Sequence, residues 1–366
     1  MYHHVLSFVF IIIGTTLSQA QGIWTEYSLS NSSIPFEKIY SIDFDNSGNI
    51  WFGTNVTGAT GHLCRFDGQT FYPESYNAWI YDIEIDKSGS VWVINCMNEL
   101  KRWDGNDWET FTHNNLDWYS DPLFIDSKGI KWMNPGFGNE ILTFDGSEWN
   151  NAVNELSYSR IYAIKEYQDK IYIASDSGLI IYNGQKWEKL MSGYSDLPNN
   201  KIYDIEVDNY DSLWLLCGEG FLVAHKDSTW NCYYSKDFEQ NPFGLEIDGE
   251  DLWIGLYSQI VKFDKKNTIV FNSSNTNLPY NSIFCMEINN KSELWIGTRK
   301  GLFKYTEEIK PSIIIKQQPR SVILREGYST AFSVIADGDS LHYQWYKNYQ
   351  EIQGAMSYSY IINFLL

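Results

Sequence analysis

The stretch ELWIGTRKGLFKYT, Glu293 to Thr306, reads as two β-strands joined by a tight turn at Arg299–Gly301. Aromatic and β-branched residues fill both halves, as a pleated, half-buried surface requires. The chain then enters EEIKPS (307–312), where Pro311 cannot donate to a ladder. The third position of a sheet is therefore followed by no fourth strand, and some other segment of the chain has to cover that edge.

Working outward from this stretch, strand-like runs recur with one large aromatic each: Trp51, Trp92, Trp132, Tyr172, Trp214, Trp253 and Trp295, at intervals of 41, 40, 40, 42, 39 and 42 residues. A steady period near forty in β-patterned units predicts a β-propeller of seven blades. A lone four-stranded sheet cannot bury both faces, whereas seven around an axis can. Burying one large aromatic removes ~150–250 Å² from water, worth roughly 4–6 kcal/mol before entropy, so the seven anchors are assigned to the core.

Each unit repeats the same parts. An inner strand opens with Ile-aromatic in IYSIDFD (39–45), IYDIEID (80–86), IYAIKEY (161–167), IYDIEVD (202–208) and IFCMEIN (283–289). Turns such as DNSG (45–48), DKSG (86–89) and DSKG (126–129) follow, and the second strand carries the anchor. Asp43-x-Asp45 with Gly48 has some likeness to a calcium loop, but a hairpin turn accounts for it. FDGQTF (66–71), WDGNDW (103–108), FDGSEW (144–149) and YNGQKW (182–187) predict type I′ turns into an outer strand.

The missing strand is then found at the other end of the chain. IWTEYSLSNSSIP (23–35) matches IVFNSSNTNLP (269–279) and WETFTHNN (108–115), each an outer strand followed by an Asn/Ser linker. Trp24–Ser28 is expected to complete the seventh sheet and close the ring, hiding its edges.

LPYNSIFCMEINNKSELWIGTRKGLFKYT (278–306), LPNNKIYDIEVDNYDSLWLL (197–216) and IPFEKIYSIDFDNSGNIWFGT (34–54) resemble the two-component-regulator propeller repeat. The resemblance runs over about 24–306, with units three and six degenerate. It implies a propeller of the kind found in extracytoplasmic sensors that recognise oligosaccharides, although this chain has neither a transmembrane helix after the propeller nor a kinase. After Lys310-Pro311, residues 313–363 resemble a bacterial immunoglobulin-like domain in QQP, REG and the YQWYK strand around Trp345, but only 54 residues remain where a sandwich needs ~100. Overall the expectation is an all-β chain: leader 1–20, seven-bladed propeller 21–306 closed by its N-terminal strand, linker 307–312, and an incomplete immunoglobulin-like sandwich 313–366.

Residues 1–20, with an apolar run from Val5 to Ile13 and a small-residue ending at Ala20, read as a signal peptide too short to span a bilayer. Export follows, to the periplasm, cell surface or extracellular space, with no integral membrane segment in the mature chain. A net charge of −19 without a basic cluster excludes a phosphate-backbone footprint, hence nucleic acid. Five cysteines form no disulfide framework, and the spacings of zinc or metalloprotease motifs are absent, so no metal or cofactor is expected.

Two series qualify as a ligand site. Tyr40, Tyr81, Tyr162, Tyr203 and Phe284 open the inner strands, near the loops that enter each unit. Eight residues before the anchors stand Asp43, Glu84, Glu206 and Glu287, with Glu246 seven before Trp253; by the same count unit three has Phe124 and unit four Ile164. Rings flanked by carboxylates suit sugars, by stacking and by accepting hydroxyl protons, so an oligosaccharide or cell-surface ligand is the expected partner. Capping of neighbouring backbone and packing between blades are the plainer roles for both series. The function expected is an exported, non-catalytic binding propeller. The rivals are a structural or adhesion module of a larger cell-surface protein and a metal-dependent lyase of the streptogramin-inactivating kind, which uses His. The propeller histidines His62, His113 and His225 fall in three separate units, none at an inner-strand start. Nothing in the sequence sets the oligomeric state.

Overall fold

A computed structural model describes residues 4–5, 8–11 and, from 22 to 363, all but 57–59, 75–77, 98, 115, 117–121, 135–140, 153–159, 240–241, 280–281, 308–313, 321, 325–327, 338–340, 342 and 348–349. The chain divides into two compact units, Ile23–Thr306 and a second made of Met1–Gly22 with Glu307–Leu366.

The first unit is the propeller. Its described residues form seven antiparallel four-stranded sheets, each meandering from an inner to an outer strand. Inner strands Ile39–Phe44, Ile80–Ile85, Leu123–Ile125, Ile161–Tyr167, Ile202–Val207, Pro242–Asp248 and Ile283–Ile288 define blades 1 to 7. Each packs beside the next, and the seventh returns to the first. All seven anchors are buried, from Trp92 at 1 % exposure to Trp51 at 6 %, in the hydrophobic clusters between blades.

The ring closes where the sequence places the orphan strand. Ile23–Tyr27 pairs antiparallel with Gly301–Thr306, Trp24 opposite Tyr305 and Tyr27 opposite Leu302. Trp24 packs on Tyr305 and Phe271 at 5.0 and 5.5 Å between ring centroids, and Tyr27 stacks on Trp295 at 5.8 Å. The linker that follows repeats that of blade 6 bond for bond. Ser28 N donates to Asn31 Oδ1 at 2.8 Å and Asn31 Nδ2 to Glu26 O at 3.1 Å, as Asn272 N does to Asn275 Oδ1 at 2.9 Å and Asn275 Nδ2 to Val270 O at 2.7 Å.

The Asp-containing turn after each inner strand explains the resemblance to a calcium loop. Asp45 Oδ1 accepts from the backbone N of Ser47 and Asn49, while Oδ2 accepts from Asn49 Nδ2 and Trp51 Nε1. The carboxylate is spent on the turn and on the anchor's indole. The same bond joins Trp92 to Asp86 (2.7 Å), Trp132 to Asp126 (2.9 Å) and Trp214 to Asp208 (2.9 Å). In blade 7 the turn residue is Asn289, whose Oδ1 accepts from Lys291 N and Glu293 N and whose Nδ2 donates to Glu293 Oε2. The buried Trp295 Nε1 is left without an acceptor.

The outer turns correct the expected type I′ geometry, which needs positive φ at both central residues. Gly68, Gly105, Gly146 and Gly184 have φ of 92°, 102°, 108° and 88°, but the preceding Asp or Asn does not. That residue acts instead as an acceptor: Asp67 Oδ1 takes the backbone N–H of Gln69 and Thr70, closing a four-residue loop.

In the second unit Ile314–Gln317 pairs with Ile335–Asp337, Thr330–Ser333 with Ser359–Ile362, and Gln344–Lys347 with Gln350–Glu351. Trp345 is fully buried, its Nε1 donating to Ser357 O at 2.9 Å. These are short paired strands around one tryptophan, and they do not establish an immunoglobulin-like sandwich. His4–Val5 and Phe8–Ile11 are also strands, paired with Ile323–Leu324 and Gln344–Lys347. The Ala20 cleavage position and most of linker 307–312 lie outside the described residues.

Candidate functional site: the channel and its mouth

Inner strands of six blades carry a β-bulge one residue after they begin, between Ile39 and Ser41, Ile80 and Asp82, Ile161 and Ala163, Ile202 and Asp204, Pro242 and Gly244, and Ile283 and Cys285. The residue inserted at each bulge is aromatic: Tyr40, Tyr81, Tyr162, Tyr203, Phe243 and Phe284. An extra residue breaks the two-residue alternation and re-aims its side chain. The burial pattern accordingly runs in threes in blades 2, 5 and 7, with the opening residue and the fourth buried and those between half-buried, while in blade 1 Ser41 is buried as well.

By register the six rings form a girdle, and two pairs of them meet across blade boundaries. Tyr40 stacks on Phe284 of the seventh blade at 4.4 Å and 7°, and Tyr162 meets Tyr203 at 5.3 Å. Phe243, unnoticed in the sequence because its strand opens with Pro242 and not Ile, belongs to the same series. Burial raises the Tyr40 phenol, with Arg299 opposing that rise.

Three residues farther along each strand is the position that pairs with the anchor aromatic. Asp43, Glu84, Phe124, Glu206, Glu246 and Glu287 oppose Trp51, Trp92, Trp132, Trp214, Trp253 and Trp295. In blade 4 a fixed count of eight names Ile164, and the structure corrects it: Tyr172 pairs with Lys165. The hairpin turns there through Gln168 and Asp169, both at positive φ, and is one residue shorter than in blades 1, 2, 3, 5 and 7, as it also is in blade 6, where Asp248 pairs with Asp251. Ile164 is buried in the clusters between blades and Lys165 takes the axial place.

Lys165 Nζ lies 2.5 Å from Glu206 Oε1. Burial would lower the Lys165 ammonium, but Glu206, with Glu246 and Glu287 beyond it, holds it above its ordinary value. Burial pushes the Asp43 carboxyl up to about 7, against the pull of its bonds from Phe44 N and Ile85 N. Glu84, Glu246 and Glu287 are raised well above the ordinary carboxylate range, by burial first and then by one another and the neighbouring aspartates. Through their mutual repulsion Asp43, Glu84, Glu206, Glu246 and Glu287 form one electrostatic cluster about the axis.

A second set joins the blades. Ile83 N donates to Ser41 Oγ at 3.0 Å, Leu123 N to Asp82 Oδ2 at 2.9 Å, and Leu245 N to Asp204 Oδ2 at 2.7 Å, each acceptor lying one blade earlier. Asp43 does the same with Ile85 N at 2.6 Å. Capping of a neighbour's backbone is thus the role of Asp43, Asp82 and Asp204, whereas the longer glutamates at the anchor-paired position stay on the axis. Burial raises Asp204 to about 7 as well.

The histidines stand apart from this arrangement. His62 stacks on Phe36 at 3.8 Å, His113 lies 5.3 Å from Trp149, and His225 lies 4.3 Å from Trp230. No group of three or more His, Cys, Asp or Glu among the described residues is placed to hold a metal ion. The cysteines are free, and burial pushes the Cys64 thiol up to about 12. No described helix is long and apolar enough to cross a membrane.

Comparison with known proteins places this architecture. The sequence model of the family described as Two component regulator propeller matches residues 33–56, the linker, inner strand and anchor strand of blade 1. Among curated proteins no sequence matches. Virginiamycin B lyase from Staphylococcus aureus is similar in structure, with TM-score 0.65 and 14 % identity over 79 % of this chain and 100 % of the lyase. The extracellular domain of a protein from B. thetaiotaomicron assigned as a hybrid two component system is similar with TM-score 0.58 and 14 % identity. That alignment takes in 100 % of this chain and 60 % of the other, so this chain spans well under two thirds of its length. The WD40 β-propeller domain of Doa1 matches with TM-score 0.59 at 12 % identity, over 78 % of this chain and 96 % of that one. At such identities the likeness is one of fold, shared by an extracellular domain of a two component system, a lyase and a WD40 protein alike. With all seven sheets in place, the chain is a seven-bladed β-propeller whose first blade matches the two-component-regulator propeller repeat.

Proposed function

We propose that this chain is an exported, non-catalytic recognition module that holds an extracellular ligand, an oligosaccharide in the first instance, at the girdled mouth of the channel. The observation that carries this reading is the bulge repeated at the same residue of six inner strands, each time on an aromatic. Packing alone needs no bulge, because the anchor series already fills the space between blades. Rings re-aimed toward one mouth offer faces to the apolar faces of sugars, and the glutamates three residues deeper accept hydroxyl protons. Tyr40, Tyr81, Tyr162 and Tyr203 are assigned the stacking role, and Glu84, Glu206 and Glu287 the polar one, Asp43 being engaged by Phe44 N and Ile85 N. Export is supported by the apolar leader at 1–20 and by the fold likeness to the extracellular domain of a two component system.

Screening the full chain on a glycan array is the direct test. A hit whose binding survives in Tyr81→Ala and in Glu84→Gln would remove the mouth from consideration. Recovery of the chain from the culture supernatant or periplasm, starting at Gln21 by mass spectrometry, checks the export half.

A further inference from the structure

At blades 4 and 5 the girdle already holds cations from this chain. Lys201 Nζ stands 4.6 Å from the centroid of Tyr203 and 5.6 Å from that of Tyr162, and the Arg160 guanidinium 5.2 Å from Tyr162. Both basic residues immediately precede the isoleucine that opens their inner strand. At blades 6 and 7 the same sequence positions are Asn241 and Ser282, which carry no charge.

On that side the girdle opens into a cleft of about 430 Å³ lined by Phe243, Tyr257, Ile283 and Phe284. Its walls are fixed. Tyr40 stacks on Phe284, and the Phe243 ring lies over Gly255, where a Cβ would come within 2.6 Å of Phe243 Cζ. Tyr257, 39 % exposed, stands 6.3 Å from Phe284. Arg299 stands at this end of the blade, its backbone N donating to Ser282 O at 2.9 Å and its charge reaching the Tyr40 phenol. Lys165, the ammonium of the anchor-paired series, is hydrogen-bonded to Glu206 in blades 4 and 5.

We propose that this cleft binds an organic cation, a primary ammonium or guanidinium on an apolar stem, in the manner of Lys201 at the Tyr162–Tyr203 pair. Aromatic faces attract a cation through their quadrupole, most strongly where water is partly excluded. Ile283 and the ring edges take the stem, and the faces of Phe243, Tyr257 and Phe284 take the charge. The inference rests on the mouth being a binding site and narrows what part of a ligand enters it.

The probe is benzylammonium against benzyl alcohol, matched in shape but differing in charge, titrated calorimetrically into the full chain. The ammonium should bind about tenfold more tightly, equivalent to about 1.4 kcal/mol, and weaken with added salt. Tyr257→Ala should lower its affinity about fivefold, and Tyr257→Phe, which keeps the ring, should retain it. Equal binding of the alcohol, or full affinity in Tyr257→Ala, overturns the proposal. An oligosaccharide that binds at the mouth of a protein blind to benzylammonium would also overturn it, while leaving the broader recognition role standing.

Discussion

Lys165 Nζ lies 2.5 Å from Glu206 Oε1, and the same ammonium faces Glu246 and Glu287 across the axis. One cation therefore sets the charge balance of a channel whose other anchor-paired residues are five carboxylates and Phe124.

Replacing Lys165 with Met should destabilise the propeller by about 2–3 kcal/mol at pH 8. That is less than the ~3–5 kcal/mol for breaking a fully buried pair, because the Lys165 side chain is 33 % exposed to solvent. Near pH 5 the penalty should shrink, since the carboxyls left without a counter-ion take up protons there. Urea unfolding at the two pH values checks this, and an equal loss at both would mean the ammonium is not balancing the cluster.

The unmodified protein should itself lose stability as pH rises from about 4 toward about 8. Burial pushes Asp43 and Asp204 up to about 7 in the folded chain, and raises Glu84, Glu246 and Glu287 well above the ordinary carboxylate range. Between the unfolded carboxylate range and these values the folded state binds more protons, so the slope of stability against pH is negative. The turn aspartates work the other way. In Asp45, Asp86 and Asp208 burial is outweighed by bonds from the indole and the turn, which lower the carboxyls. Their contribution is complete above about pH 4 and is lost as pH falls through the lowered values. A melting-temperature profile should peak near pH 4–5; a plateau through pH 8 would contradict the axial cluster.

Blade 7 can be given the acceptor it lacks. The double change Asn289→Asp with Glu293→Asn copies the Asp45–Asn49 arrangement and offers Trp295 Nε1 a carboxylate oxygen. It should add about 1 kcal/mol, the net worth of one hydrogen bond, partly offset by losing the Glu293–Lys304 pair at 2.9 Å. Asn289→Asp alone should do worse than the double, because it sets a carboxylate against Glu293. Chemical denaturation of both variants separates these outcomes.

Ring closure turns on Gly301. Its φ is +119°, and a Cβ there would stand on the carbonyl oxygen of Tyr27 in the closing strand. Gly301→Ala should cost more than about 1 kcal/mol and loosen residues 23–27 first. Hydrogen exchange at Thr25 and Tyr27 would report it; unchanged protection there would refute this account of the closure.

Much of the fold was legible in the sequence because local chemistry carried it. The forty-residue period, the alternation of aromatic and β-branched residues, the Asp and Gly of the turns and the Asn/Ser linker are all written within short windows. The match of residues 23–35 to 269–279 even located the closing strand, whose Ser28–Asn31 bonds repeat those of Asn272–Asn275. The outer turns were less legible: Asp-Gly serves two turn geometries, and the choice lies in where the Asp carboxylate finds N–H donors.

What only the tertiary structure decided is the company each side chain keeps at the axis. Hydrogen-bond register, and not distance along the chain, determines which residue of an inner strand opposes the anchor, so a hairpin shorter by one residue moved Lys165 into the place a count gives to Ile164. The bulges, too, are a property of paired strands: an extra residue exists only relative to a partner, which is why the aromatic girdle has its positions in the sequence but its aim only in the fold.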